Sequence, residues 1–305
     1  MGSFTDCVRL FQFSSRGYWG IMEKQNRHSI LCPNCTRLIS IDEAHCPHCG
    51  LRSPGSRWKN IFSSKAFFGP DRIVINIISL NAFMYILSIL MNPAAIGISA
   101  NPLSFLSPGS TSLLLLGATG RIPIDQYHRW WTVLSANYLH GSILHILFNM
   151  MALWQIGPLI LQEYGSYRMF SIYTLSGIGG YLLSYFAGIP FTLGASGALC
   201  GLIGAALYFG KSRGGYFGQM VYRQVGGWAI AIIAFGFLVP GIDNWAHGGG
   251  MLCGVLTGFL LGYQESRAET FYHKLLAGIC VLATLGVLIW GIGESLIILL
   301  SWGAR

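Results

Sequence analysis

The chain has 305 residues, of which 53% are hydrophobic and only 10% charged, and its mean hydropathy is +0.53. Soluble domains carry roughly 25% charged residues, so this chain has too little polar material to coat a water-facing surface. That excludes a single soluble domain, a secreted disulfide scaffold and a disordered regulator; forty glycines, nine tryptophans and eighteen phenylalanines suit helices embedded in a bilayer.

The formal net charge of +8 is mostly an N-terminal property: residues 1–72 hold ten Lys/Arg against five Asp/Glu. This charge is neither focused on one helix nor interleaved with stacking aromatics, which argues against nucleic acid as a partner. Orientation in a membrane accounts for it better. Residues 1–28 carry no structural assignment. They lack the continuous apolar run of a signal peptide, and Asp6 stands where myristoylation wants Ser or Thr.

Residues 29–53 contain Cys32-Pro33-Asn34-Cys35 and, ten residues on, Cys46-Pro47-His48-Cys49. Each pair sets two thiolates on one turn, and two such turns facing each other offer a tetrahedral sulfur site suited to a structural Zn2+. Competing readings are a redox dithiol, or His45 or His48 in place of one cysteine. The array resembles a zinc ribbon, with no partner that the sequence identifies. A basic linker, 54–72, follows.

From residue 73 charges vanish in long runs. None falls between Arg72 and Arg121, Arg129 and Glu163, or Arg168 and Lys211, and shorter gaps follow. A crossing takes about 20 apolar residues, so the gaps predict seven spans, near 73–92, 141–161, 168–188, 195–210, 226–240, 245–262 and 275–299. Sixteen of nineteen Lys/Arg then fall on one side, which predicts a cytosolic N-terminus and a C-terminus outside. The stretch from Asn92 to Ala136 is rich in Pro, Gly and aromatics and too broken to span. It is expected to be a half-submerged external structure covered by protein, with Trp130 and Trp131 at headgroup level. Cys200, Cys253 and Cys280 lie within spans as small buried hydrophobes.

Polar groups inside a bilayer are costly and mark function by default. At 1.5 Å rise per residue, Ser196 lies ~22 Å above the Lys211 boundary, His247 ~22 Å above Gly262, and Asn149 ~21 Å above Glu163. His145 is one turn from Asn149 on the same face. These four groups from three helices share one tier near the outer side. Around them, beside Gly194, Gly197 and Gly201 match Gly250 and Gly254 at small-x3-small spacing, which lets two helix backbones approach closely. Ser196 Oγ and the His247 imidazole then come within reach, and a neutral imidazole is the natural base for a serine. Taken alone, Gly-x-Ser-Gly is as readily a packing motif, and Asn149 a packing hydrogen bond. Asp243 is better placed to cap the helix that carries His247 than to orient the ring, so the reading is a dyad, with Asn149, His145 and the Ser196 N–H facing a developing oxyanion.

The segments Leu139-His140-Gly141-Ser142-Ile143-Leu144-His145-Ile146-Leu147-Phe148-Asn149-Met150, Gly194-Ala195-Ser196-Gly197 and Ala246-His247-Gly248-Gly249-Gly250-x3-Gly254 make the chain resemble the rhomboid family of intramembrane serine proteases. The resemblance covers about 120–265. It implies an all-α polytopic bundle, 73–300, of six core helices plus a seventh. It also implies Ser196 as nucleophile, His247 as base, Asn149 and His145 as oxyanion groups, His140 and the named glycines as support, and no cofactor for catalysis. The implied partners are the lipid bilayer and single-span or polytopic membrane proteins, whose transmembrane segments are cut near the outer face. Two positions depart from the family pattern. Thr132 follows Trp131 where an arginine is common, with Arg129 upstream, and Cys200 stands where many members carry an aromatic. Alternative readings are a non-catalytic relative that binds membrane helices and a transporter, though no internal repeat supports the latter.

Overall fold

The computed structural model describes residues 29–32, 37–40, 42–48, 68–69, 72–97 and 104–303. The chain divides into two compact units, Met1–Ala66 and Phe67–Arg305. In the first, strands β1 (Ser29–Leu31) and β2 (Leu38–Ser40) pair antiparallel with Ile30 opposite Ile39. The Cys32 N–H donates to the Arg37 carbonyl at 2.8 Å where the hairpin closes. Cys32, Ile39 and Cys46 are buried together. Cys35 and Cys49 lie outside the described residues.

The second unit is built from seven long helices: α1 (Ile73–Leu90), α2 (Ile143–Tyr164), α3 (Ser166–Phe186), α4 (Ser196–Arg213), α5 (Gly215–Leu238), α6 (Asn244–Leu261) and α7 (Phe271–Gly303). Each coincides with one predicted span. The main difference is α5, which begins eleven residues before the predicted start because helix continues through Arg223, a charge that the search for uncharged runs treats as a boundary. Among the described residues four helices, α1, α2, α5 and α7, are long and apolar enough to cross a membrane by length and composition. The other three carry more Gly, Ser and Thr.

For α4 burial goes with that composition. Helix α4 is buried at Gly197 through Ala206 without a break, so no face of that stretch meets lipid. It packs against α2, α3, α5 and α6. The outer helices instead show large apolar side chains to the surroundings, such as Phe148 and Trp154 on α2 and Leu282 and Ile289 on α7, as a hydrocarbon solvent requires.

The segment between α1 and α2 is folded. A short helix, Ser110–Leu116, a π-type turn, Ile122–Gln126, and another short helix, Thr132–Ser135, lie along the bundle. Thr119 and Thr192 exchange both backbone hydrogen bonds, at 3.0 and 2.7 Å, and the N–H groups of Arg121 and Ile122 donate to Ile189 and Pro190. This small ladder requires Gly120: its φ is +126°, and a β-carbon there would lie 2.6 Å from the Pro190 carbonyl. Asp125 accepts from the Tyr185 hydroxyl and from Arg121, which together hold its carboxyl below the usual range. At the opposite end of α3, burial holds the Glu269 carboxyl above its usual value while it accepts from the Tyr167 and Arg168 N–H groups.

Candidate active site

Ser196 is the first residue of α4, and the turn before it is set by Gly194 at φ +128°. A β-carbon on Gly194 would lie 2.6 Å from His145 Nε2, so glycine is demanded both by the backbone and by the neighbour. The turn is pinned from two sides. The Gly194 N–H donates to the Ala136 carbonyl at 2.9 Å, and the buried Tyr181 hydroxyl donates to the Gly194 carbonyl at 2.5 Å. At a helix start the first N–H groups lack intrahelical acceptors, so the Ser196 N–H is presented beside its own hydroxyl.

His247 sits in the first turn of α6, whose start is capped by Asp243 Oδ1 accepting from the Ala246 N–H at 3.0 Å. The ring Nε2 is 2.9 Å from Ser196 Oγ. A hydroxyl donating to Nε2 places the ring proton on Nδ1, and Nδ1 has no hydrogen-bond partner. The second oxygen of Asp243 is taken by the Ser184 hydroxyl. Asp243 is therefore a helix cap, and no carboxylate backs the imidazole.

The meeting of these two side chains follows from the seam between α4 and α6. A β-carbon at Gly250 would strike the Gly197 carbonyl, one at Gly254 the Gly201 carbonyl, and one at Gly204 the Met251 carbonyl. The glycine pairs expected from spacing are in contact, backbone on backbone. On the α3 side Gly180 approaches the Ala246 carbonyl in the same manner.

Asn149 and His145 face the same cavity from α2. The Ser142 hydroxyl accepts from the His145 N–H at 3.2 Å and fixes the first turn. Asn149 Nδ2 donates to the His145 carbonyl at 2.8 Å, which leaves the other amide proton available. His140 is fully buried, with its ring 5.0 Å from that of His145 and neither ring nitrogen hydrogen-bonded. It packs against the His145 ring and does not line the cavity. Cys200 lies one turn below Ser196 in the cavity wall that His247 also lines. The cavity, of about 650 Å³, is otherwise mostly apolar, with Gln155 and Thr192 among its lining, and is bounded on its remaining side by α5, with Trp228, Ile232 and Phe235.

Two parts of the site were not read from sequence. Tyr181 left no signal beyond a polar aromatic in an apolar run, and its partner, Gly194, is thirteen residues away across a turn. The other is Arg129, buried at 9% exposure, which donates to the Leu114 carbonyl at 3.0 Å and pairs with Glu294 of α7 at 2.6 Å. The segment between α1 and α2 thus keeps an arginine anchor although Thr132 follows Trp131.

Fold and site together define a polytopic helical membrane protein with a serine–imidazole pair set in an apolar cavity among its helices. A profile of the Rhomboid domain matches residues 127–264. The chain is 36% identical to Rhomboid protease GluP of Bacillus subtilis (strain 168) over 192 residues, which is 61% of this chain and 36% of that protein. It is 33% identical to RHOMBOID-like protein 4 of Arabidopsis thaliana over 66% of this chain and 54% of the relative, and 31% identical to RHOMBOID-like protein 7 over 66% and 68%. The chain belongs to the rhomboid family. It spans 36% of the first of these relatives and 54% of the second.

Proposed function

We propose that the protein is an intramembrane serine endopeptidase that cuts transmembrane segments of other membrane proteins near the outer face. The observation that carries this reading is the 2.9 Å approach of His247 Nε2 to Ser196 Oγ inside a cavity that also presents Asn149 and His145. In the reaction, Ser196 Oγ attacks the scissile carbonyl carbon while His247 Nε2 takes the hydroxyl proton. The oxyanion of the tetrahedral intermediate is met by the Ser196 N–H, the free Asn149 amide proton and His145. Collapse expels the amine, which leaves with the proton from His247. Water then attacks the acyl-serine with His247 again as base, and Ser196 is restored. The resemblance to a protease by name, GluP, supports the same reading.

Entry for a substrate segment is between α2 and α5. Helix α5 is buried only at Gly218, Val221, Val225 and Ala229, in its first fifteen residues, while Phe237 and Leu238 near its end are about 80% exposed. Its second half is therefore the less buried wall of the cavity. The Lys/Arg distribution supports a cytosolic N-terminus and an outward-facing site.

Reaction of the detergent-purified protein with a fluorophosphonate probe tests the reading. The expected result is one label per chain, abolished by Ser196→Ala; a label that survives that substitution, or a wild type that never reacts, removes the protease reading. A chain that binds membrane segments without reacting would instead be a non-catalytic relative.

The N-terminal unit is proposed to hold one zinc through Cys32, Cys35, Cys46 and Cys49. The fit of Cys32 and Cys46 supports it, since one thiol from each Cys-x2-Cys pair is buried in a common cluster, as a closed four-sulfur site demands. When bound, the zinc would cross-link the two turns and supply folding energy. One equivalent of zinc by elemental analysis, lost in Cys32→Ser/Cys35→Ser, is expected; a zinc-free protein with a folded N-terminal unit would count against it.

A further inference from the structure

We propose that α7 braces the loop carrying Ser196 through Arg129 and three buried threonines. Arg129, Thr132 and Glu294 thereby become positioning residues for the reaction. The inference rests on Ser196 being the nucleophile, and it concerns a helix that contributes no residue to the cavity.

The links form one continuous path. Glu294 of α7 accepts from Arg129 Nη2 at 2.6 Å. The Arg129 carbonyl accepts from the Thr132 hydroxyl at 2.6 Å and from the Thr132 N–H at 3.1 Å. Thr132 Oγ1 lies 3.0 Å from Thr119 Oγ1. Thr119 exchanges both backbone hydrogen bonds with Thr192, and Thr192 stands two residues before Gly194, whose turn sets Ser196. Thr119 and Thr132 are fully buried and Thr192 is 8% exposed, so water does not compete for these bonds.

Helix packing follows the same route. Gly291, one turn before Glu294, lets α7 come against the Leu116 carbonyl and the Trp131 ring, each 3.1 Å from where its β-carbon would be. The guanidinium of Arg129 also lies 5.9 Å from the Trp131 ring centre. A carboxylate in an otherwise apolar helix is costly unless paired. Glu294 is the only acidic residue in the 33-residue α7, and Arg129 is its ion-pair partner. The pairing fixes both the rotation and the height of the helix against the external segment. The departure at position 132 is accounted for in the same way: a hydroxyl there passes the arginine's anchorage on to Thr119.

The test measures two quantities on Glu294→Gln, Thr132→Val, Thr132→Ser and the Glu294→Gln/Thr132→Val double variant in detergent: the rate of fluorophosphonate labelling, and hydrogen exchange of the amides over 189–196. Mutations along a coupling path change it by 0.5–2 kcal/mol, or about two- to thirtyfold. Glu294→Gln and Thr132→Val are expected to slow labelling within that range and to speed exchange at 189–196, with exchange in α1 and α2 unchanged. Thr132→Ser is expected within about twofold of wild type. The double variant should be no slower than the worse single one, because both cut one chain of contacts. Where a peptide substrate is cleaved, kcat should fall and KM stay. Unchanged exchange at 189–196, or effects that multiply in the double variant, would overturn the brace. Exchange is read without catalysis, so it decides the brace even if the wild type fails to label, a result that would sink the protease reading alone. If Glu294→Gln yields no folded protein, Thr132→Val and Thr132→Ser, which remove no charge, decide it by the same readouts.

Discussion

Helices α4 and α6 meet glycine to glycine, whereas α5 is buried only within its first fifteen residues and presents bulky side chains to the cavity. The seam joins Ser196 and His247, the two groups of the proposed dyad, and it does so with backbone atoms that have no rotamers to change. The wall at α5 is made of Trp228, Ile232 and Phe235, side chains that can turn, on a helix whose last nine residues include none that is buried. Proton transfer needs the donor and acceptor held within about 3 Å, while a segment of peptide needs a way in. The molecule separates the two demands by residue size.

The sharpest way to break the contrast is to put a side chain into the seam. Gly250→Val would drive two methyl groups into the Gly197 carbonyl. A backbone cannot yield as a side chain does, so a loss of about 3 kcal/mol or more in stability is expected, with no fluorophosphonate labelling of the protein that remains. Thermal unfolding in detergent measures the first effect. A variant that unfolds like wild type would mean the helices are not in fact so close.

A smaller effect is expected at the oxyanion. Asn149→Ala removes one donor without touching the seam, and loss of such a donor costs about 10²–10³ in kcat. KM should hardly change, since the bond strengthens only in the transition state. Steady-state cleavage of a membrane-segment substrate separates the two constants; a normal kcat would take Asn149 out of the chemistry.

The smallest effect belongs to α5. Phe235→Ala should leave labelling by a small phosphonate within about twofold of wild type, because the Ser–His pair is untouched, while changing KM for a full transmembrane segment by a few-fold, as expected for trimming one apolar contact worth about 1 kcal/mol. If the small probe slowed as much as the large substrate, α5 would have to be part of the rigid frame.

Legibility in the sequence followed the same division. Gaps between charges located all seven helices, including α3, α4 and α6, because absence of charge marks a buried helix as well as a lipid-facing one. The small-x3-small pattern correctly paired Gly197 and Gly201 with Gly250 and Gly254, since a β-carbon excluded from one helix implies a backbone opposite. The heights of Ser196, His247 and Asn149 could be counted from helix rise alone. By contrast, the Arg129–Glu294 pair joins residues 165 positions apart, and nothing periodic links them. The ladder between Thr119 and Thr192 was hidden for the same reason: irregular segments have no repeat from which register can be read. Tyr181 was missed because its hydroxyl serves a single carbonyl on a turn whose course was unknown.

A contact made of main chain against main chain has one further outcome. With no side chains along the seam from Gly197 to Gly254, there is nothing on that surface for substitution to adjust without forcing the helices apart. Variation in what such a protein accepts must instead be written on the cavity's other walls, at positions such as Phe148, Trp228 and Phe235, where residues of many sizes fit. If the proposed dyad is the reacting centre, that centre is locked, and selectivity is free to drift around it.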